Sequence, residues 1–506
     1  MRRKVAQQLG LVTAPTDHVR ARELAMMSAI LDALPRAVAL VHRDLVNGSR
    51  RTDTGREAMT AEQVLRAMIA KQRFGCSYEE LAFLLADSSS VRAFCRVPLS
   101  ASPPTRSTLQ RNIKRVTATT WEQINSLVIA DALTKKIETG RTIRSDCTVV
   151  ETNIHEPSDS SLLWDCVRVL VRLMTKAKAK FATSFNSRRR RAKRRAIGIL
   201  NAKSKAQRTA LYRDLLKVTA ETMAQAQSVL AQLRDVVCTD IAGMALIQSI
   251  EQGIKATLEH TTRVVDQTER RVLRGESVPA TEKIVSIFEP HTDIIIKDRR
   301  DTFYGHKICL TSGASGLVID VVVEEGNPSD STLACRTVAR ATSVLGRVPK
   351  QACFDGGFSS KANVADIKAM GVSDVAFSKH VGLEVTEMAK SPWVFRKLRN
   401  FRAGIEAGIS FLKRTFHLDR CNWSGVDSFG AYVWGSVLSC VNDRGVASLA
   451  GVYSERGGHP PGGVGRGDGA AGRRAREGAR SQVRGTGASK ARAAIRAAES
   501  CSTREE

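Results

Sequence analysis

The residues with most chemical promise are three carboxylates in a strongly basic chain. Asp146 stands inside residues 141–154, RTIRSDCTVVETNI, where β-branched residues dominate and polar and apolar positions roughly alternate. That is a strand pattern, and Asp is disfavoured in the middle of a strand unless something requires it. Asp355 follows the short run QACF and precedes Gly356 and Gly357. Strand ends beside tight turns are where open α/β sheets meet ligands, and glycines let a phosphate backbone come close, although an Asp that merely begins a turn has the same local sequence. Glu406 lies in RAGIEAGISFLK, residues 402–413. On a helix, Arg402, Glu406 and Lys413 project within roughly 40° of one another, beside an apolar stripe of Ile405, Ile409, Leu412 and Phe416. An Arg/Glu pair four apart is also an ordinary surface feature, stabilising a helix by about 0.2–0.5 kcal/mol.

A surface pair does not account for a strand Asp, a strand-end Asp and a helix Glu in one basic protein. Carboxylates from three elements can converge on divalent ions. Mg²⁺, or Mn²⁺ in its place, takes hard oxygen ligands and keeps water and substrate phosphate, so few protein ligands suffice. Two such ions about 4 Å apart activate a nucleophile and stabilise the leaving oxygen in phosphodiester displacement.

Composition points to the same substrate class. The formal net charge of +27 exceeds what solubility requires and calls for an anionic partner, nucleic acid first. Between residues 172 and 213 the chain holds fifteen Lys or Arg and no Asp or Glu, centred on SRRRRAKRR. Like charges at this density repel unless an anion offsets them. Arg188, Arg189, Arg190, Arg191, Lys193, Arg194 and Arg195 are therefore expected to contact a DNA backbone, with RNA contact or a flexible basic loop as the alternatives. The eleven cysteines form no Cys-x-x-Cys pair and no zinc-like spacing with His, and read as reduced thiols in a cytosol. The N-terminus MRRKVAQQLGLVTAPTD lacks the apolar core of a signal peptide, and no run approaches a membrane span, so a cytoplasmic protein with no membrane partner is expected.

The elements that must position these residues are legible in outline. Three start signals, Thr60 to Gln63, Ser77 to Glu80 and Ser107 to Gln110, each precede apolar residues at helical spacing. An all-α N-terminal domain over residues 17–135 follows, either a helix-turn-helix DNA reader or a bundle that packs and dimerises. Arg106, Arg111, Lys114 and Arg115 favour DNA. After the strand bearing Asp146, a helical insertion occupies about 159–280. Leu216, Met223, Leu230 and Val237 recur there every seven residues, and Ile247, Ile250, Ile254 and Leu258 follow, as in an antiparallel helical arm or a dimer contact. From about 302 the chain becomes α/β. Two apolar runs split by a Ser/Gly turn predict a hairpin, NPSDSTLACRTVARATSVLG (327–346) a helix ended by Gly346, PKQACFDGGFSS a short strand running into a glycine turn, 360–370 a helix, SDVAFS a strand, and the Glu406 segment a helix. This is a mixed α/β domain, residues 141–445, with a long helical insertion after its first strand.

The succession DCTVVETNIHEPSDSSLLWD, GHKICLTSGASGLVIDVVVEEGNPSDSTL, FDGGFSS and RAGIEAGISFLKR resembles bacterial insertion-sequence transposases of the DDE type, ISNCY-like, over roughly residues 20–440. The resemblance implies an RNase H-like catalytic domain with Asp146, Asp355 and Glu406 as catalytic and metal-binding residues. The Glu helix of that group has the spacing Tyr-x2-Arg-x3-Glu-x6-Lys. Arg402, Glu406 and Lys413 match it, Arg402 and Lys413 in supporting roles, while Arg399 stands at the tyrosine position, where arginine can still hold a phosphate. Glu151 and His155 are candidates for supporting hydrogen bonds near the first strand.

The expected activity is cutting at the element's ends and joining the 3′-hydroxyl to target DNA, with two Mg²⁺ or Mn²⁺ ions. Double-stranded DNA, as terminal inverted repeats and target, is the expected partner, a homodimer the expected assembly, and the bacterial nucleoid the expected location. The alternative is a catalytically inactive, transposase-derived DNA-binding protein. It draws on the C-terminus, where residues 451–506 hold twelve Gly and ten Arg and are expected to be disordered. Related transposases continue there with a Leu-rich helix, so this segment reads as a shifted frame that would impair activity.

Overall fold

The strand that carries Asp146 forms because its β-branched residues alternate between two buried faces: β1 spans Thr142–Glu151 and becomes the centre of the sheet. The computed structural model describes residues 18–48, 58–98, 100–297, 301–378 and 382–456, with Lys4. Among the described residues seven helices precede β1: α1 Val19–Asp32, α2 Pro35–Val46, α3 Ala61–Phe74, α4 Tyr78–Asp87, α5 Ser89–Phe94, α6 Arg106–Ile113 and α7 Ala118–Thr134. The helices α8 Asp159–Phe181, α9 Arg189–Asn201, α10 Lys205–Arg234 and α11 Ile241–Thr268 follow β1. The chain then forms β2 Asp293–Lys297, β3 Asp301–Ser312, β4 Val318–Val323, α12 Asp330–Leu345, β5 Gln351–Phe354, α13 Lys361–Ala369, β6 Asp374–Phe377, α14 Val385–Met388, α15 Pro392–Thr415 and α16 Val426–Arg456.

The sheet is mixed, in the order β2-β3-β1-β5-β6, with β4 also paired to β3. β1 runs antiparallel to β3 and parallel to β5, and β5 runs parallel to β6. Hairpin strands on one side of the first strand and parallel strands on the other, with helices on the faces, are consistent with the expected RNase H-like arrangement. The chain divides into two compact units, one of Met1–Asn153 with Ile295–Pro460, the other built on Ile154–Ile294.

In the first unit the N-terminal helices and the sheet share one hydrophobic core. Asn125 of α7 donates to the carbonyls of Val318 and Ile319 on β4 at 3.3 and 3.1 Å. The Arg340 guanidinium of α12 joins Asp320 on β4 to Glu122 on α7 at 2.7 and 2.6 Å. Glu138, in the link to β1, accepts from the backbone N–H of Thr139, Gly140 and Ser315, and so ties that link to the hairpin turn. α3 is buried on nearly all sides from Ala61 to Gln72. α16 packs against it at Gly435, where a Cβ would lie 1.9 Å from Met68 Cε. A helix so enclosed offers no face for a DNA groove; of the four cations expected to favour DNA, Arg106, Arg111 and Arg115 are exposed and Lys114 is half-buried.

The capping boxes at Thr60/Gln63 and Ser77/Glu80 form as expected. The third start signal is displaced: Thr105, not Ser107, caps α6 by accepting from the Thr108 N–H. Pro103 and Pro104 hold the chain out of helix up to that point, so the first residue free to cap is Thr105. The expected hairpin, the helix ended by a left-handed Gly346 and the later strands all occur. β2 was not anticipated.

The second unit is a helical bundle with its own core. Leu216 and Leu230 of the seven-residue series are buried there, whereas Val237 is 93% exposed. α10 ends at Arg234, so Val237 lies past the helix and outside its stripe. At the C-terminus, α16 stays helical to Arg456. The remainder of the expected disordered tail, residues 457–506, lies outside the described residues.

Candidate active site

The parallel pairing of β1 and β5 aligns two of the carboxylates. Ser145 is registered opposite Phe354, and the next step in both strands is Asp146 and Asp355, on backbones about 4.8 Å apart. Side chains two apart on a strand share a face, so Arg144 and Asp146 both turn toward α15. Arg144 Nη1 donates to the Phe401 carbonyl at 2.8 Å, its Nε donates to Ser312 Oγ at 3.0 Å, and its guanidinium stacks 4.5 Å from the Phe401 ring centroid. The helix can approach because residue 404 is glycine: a Cβ there would lie 2.1 Å from Arg144 Nη1.

α15 is amphipathic. Val394, Phe395, Leu398, Ile405 and Leu412 are buried, while Arg402, Glu406 and Lys413 lie along the edge of that face. Arg402 Nη2 donates to Asp146 Oδ2 at 2.9 Å and contacts Asp355 Oδ1 at 3.1 Å, and its Nη1 donates to Glu406 Oε1 at 2.9 Å. One guanidinium therefore holds all three expected carboxylates. Asp146 Oδ1 also accepts from the Cys147 N–H at 2.8 Å, and Asp355 Oδ1 from Ser378 Oγ at 2.6 Å. Lys413 Nζ donates to the Val149 carbonyl at 2.8 Å, which pins the far end of the helix to β1. The exposure is graded: the Asp146 and Arg402 side chains are 14% and 13% exposed, Asp355 41% and Glu406 64%. The site is a shallow rim whose floor is Asp146 and whose outer wall is Glu406.

These donors suit a hard divalent cation: three carboxylates from separate elements already converge on one positive charge. Among the described residues no group of three or more His, Cys, Asp or Glu stands drawn together as a ready-made metal site, because here the acids are spread around the guanidinium.

Sequence reasoning missed Arg144, Ser378 and Gly404. Arg144 had a signal, since it precedes Asp146 by two and must share its face. Ser378 had none, because it arrives from a neighbouring parallel strand.

The expected basic residues divide. Arg188 pairs with Glu221, and Arg191 and Arg195 both pair with Asp214. These acids lie on α10 and offset part of the charge that the linear sequence left unbalanced. Arg189, Arg190 and Arg194 are exposed, as is Arg399 on α15, whereas Lys193 is partly buried. His155 is held in the second unit by Asp165 at 2.7 Å, whose other oxygen accepts from Arg168 at 2.7 Å. The described cysteines are in no disulfide and are mostly buried, and no single described helix is long and apolar enough to cross a membrane.

Residues 259–442 match the family model described as a transposase DDE domain, and residues 17–115 match the model described as transposase domain (DUF772). The first match contains Asp355 and Glu406 and begins after Asp146. No curated protein and no solved structure gives a match.

Proposed function

We propose, for a chain that carries a transposase DDE domain and a DUF772 transposase domain, that it cuts DNA at the ends of an insertion sequence and joins the freed 3′-hydroxyl to target DNA. The observation that carries this reading is the convergence of Asp146, Asp355 and Glu406 on Arg402. When bound by these carboxylates, divalent ions supply an activated water or 3′-hydroxyl and neutralise the leaving oxygen.

The chain's own residues do the rest. Asp146, backed by the Cys147 N–H, is the fixed member, and Ser378 aims the Asp355 carboxylate. Arg144 and Lys413 hold α15 to β1 at two points and so set the height of Glu406. Arg402 offsets part of the cluster's negative charge in the protein alone and is placed to turn its forked donors to a phosphate when DNA enters. Arg399 and the exposed arginines of α9 contact the DNA backbone, and a dimer brings two ends together.

The test is cleavage of a duplex carrying the inverted repeat that flanks the gene, with Mg²⁺ or Mn²⁺. Asp146→Asn, Asp355→Asn and Glu406→Gln are each expected to reduce nicking and strand transfer by about a hundred- to a thousand-fold, as removal of a transition-state group does, while binding of the same duplex stays within a few-fold of wild type. Cutting at the normal rate by any one of them removes that residue from the catalytic set.

A further inference from the structure

The seven-residue series in the helical insertion runs out at Val237, and the packing of the bundle does not account for what surrounds that residue. Val237 is 93% exposed, Ile241 80% and Met244 47%. They sit where α10 gives way to α11. Asp240 fixes this turn, its carboxylate accepting from the N–H groups of Ala242 and Gly243 at 3.2 and 2.8 Å. Cys238 folds onto the same helix start, where a Cβ on Gly243 would lie 2.4 Å from its Sγ. The three apolar side chains therefore stand on a built turn.

α11 advances by about 100° per residue, so its two sides can be set against each other. Ile250, Ile254, Thr257 and Thr261 mark the buried side, and Leu246 and Ile247 extend it as partly buried residues against the same core. Ile241 lies about 180° from Ile250, and Met244 about 120°. On that outward side the later turns are charged and exposed, with Lys255, Glu259, Arg263 and Asp266. The first two turns instead carry Ile241, Met244, Ala245 and Gln248 there. A helix that is apolar on all sides is ordinarily buried, yet this stretch of α11 faces water.

Charge decides what covers it. No Lys or Arg stands between Arg234 and Lys255, whereas residues 172–213 of the same unit hold fifteen. Binding a duplex requires cations opposite its phosphates, so this turn is not built for DNA. Arg234, Asp235 and Asp240 beside the apolar group are exposed, and Glu251 is paired with Lys255 at 3.4 Å, so the two signs nearly balance. A net charge of +27 makes two copies of the chain repel over most of their surface. An apolar patch with both signs at its rim escapes that repulsion and is its own complement, as a two-fold contact requires.

We infer that the α10–α11 turn is a contact between two copies of this chain, in which Val237, Ile241 and Met244 of one copy pack on the same residues of the other. The inference rests on the transposase reading for its partner, because that reading uses two copies to bring two ends together, and it assigns the task to one surface.

Sedimentation of the full chain over a concentration series, without DNA, provides the test. A dimer is expected. Ile241→Asp should weaken it at least about thirty-fold, the effect of losing one central anchor of an interface, with an unchanged far-ultraviolet circular dichroism spectrum, and Ile241→Leu should keep it. Thr239 is exposed between Val237 and Ile241. Thr239→Cys should therefore be joined to its counterpart by a short bis-maleimide well beyond the wild-type level, and adding Ile241→Asp should remove that product. A wild-type monomer at every concentration, or a dimer that Ile241→Asp leaves intact, overturns the contact; if that protein still cuts repeat DNA, the transposase reading stands. A dimer broken by Ile241→Asp in a protein that binds no DNA supports the contact and overturns the transposase reading.

Discussion

Arg402 is surrounded by the three carboxylates on which the proposed chemistry depends, and its pairing with Asp146 is nearly removed from water, the side chains being 13% and 14% exposed. Breaking a buried pair from one side leaves an uncompensated charge and costs about 3–5 kcal/mol. Arg402→Gln should therefore lower the melting temperature in the absence of divalent ions. It should also enlarge the rise in melting temperature on adding Mn²⁺, because the ion no longer competes with a guanidinium for the same oxygens. Thermal denaturation of both proteins over a Mn²⁺ series checks this, and equal rises would mean that Arg402 does not occupy the cation position. At this scale the sequence is readable where the signal is local. The spacing of Arg402, Glu406 and Lys413 on one helix edge depends only on a period of 3.6, and Asp146 stands out against the propensity of its strand. The guanidinium bridge to Asp146 and Asp355 is not readable, because it depends on how closely α15 seats on β1, which a glycine decides.

That seating is a property of two elements meeting. Gly→Ala in a helix interior ordinarily stabilises by up to about 1 kcal/mol. At Gly404 the added methyl would drive Arg144 from the Phe401 carbonyl. Gly404→Ala is thus expected to destabilise the protein and depress cleavage. Arg144→Ala should remove the clash, so the double variant should be no less stable than Arg144→Ala alone. Denaturant unfolding of the four proteins in the cycle measures the coupling, and strict additivity would show that the two residues do not meet. In the helical insertion, His155 gives a pH-dependent case. Its hydrogen bond to Asp165 raises its pKa above 6.5, against the opposing effect of burial. A raised folded-state pKa means the contribution is fully present below about pH 6.5 and is lost as pH climbs through the higher folded value. The melting temperatures of wild type and His155→Gln should accordingly differ most in mild acid and converge toward alkaline pH, and a gap that does not change with pH would contradict the pairing. Elements with strong local punctuation, such as the boxes at Thr60 and Ser77 or the stop at Gly346, are legible from the order of residues alone. β2 is not, and the α6 cap is misplaced by that reading because two prolines set the start of the helix.

For the whole molecule the governing quantity is a net charge of +27, and the structure shows that this charge is not all available to a ligand. Arg191 and Arg195 share Asp214, and Arg188 is engaged by Glu221, so these three arginines hold α9 against α10 as well as adding to the field. Arg189, Arg190 and Arg194 are exposed on the same helix. Each phosphate neutralised on duplex DNA contributes about 0.9 to the slope of log affinity against log salt. Replacing Arg189, Arg190 and Arg194 together by alanine should thus reduce the magnitude of that slope by roughly 2–3, uniformly across DNA sequences and with little change in melting temperature. Replacing Arg191 and Arg195 instead should lower the melting temperature, since Asp214 loses both partners, and should move the slope less. Salt titrations of duplex binding, read beside thermal denaturation, separate the two sets. An unchanged slope in the triple variant would show that the basic insertion does not track the backbone, leaving α15 and the cations around the carboxylates to bind DNA.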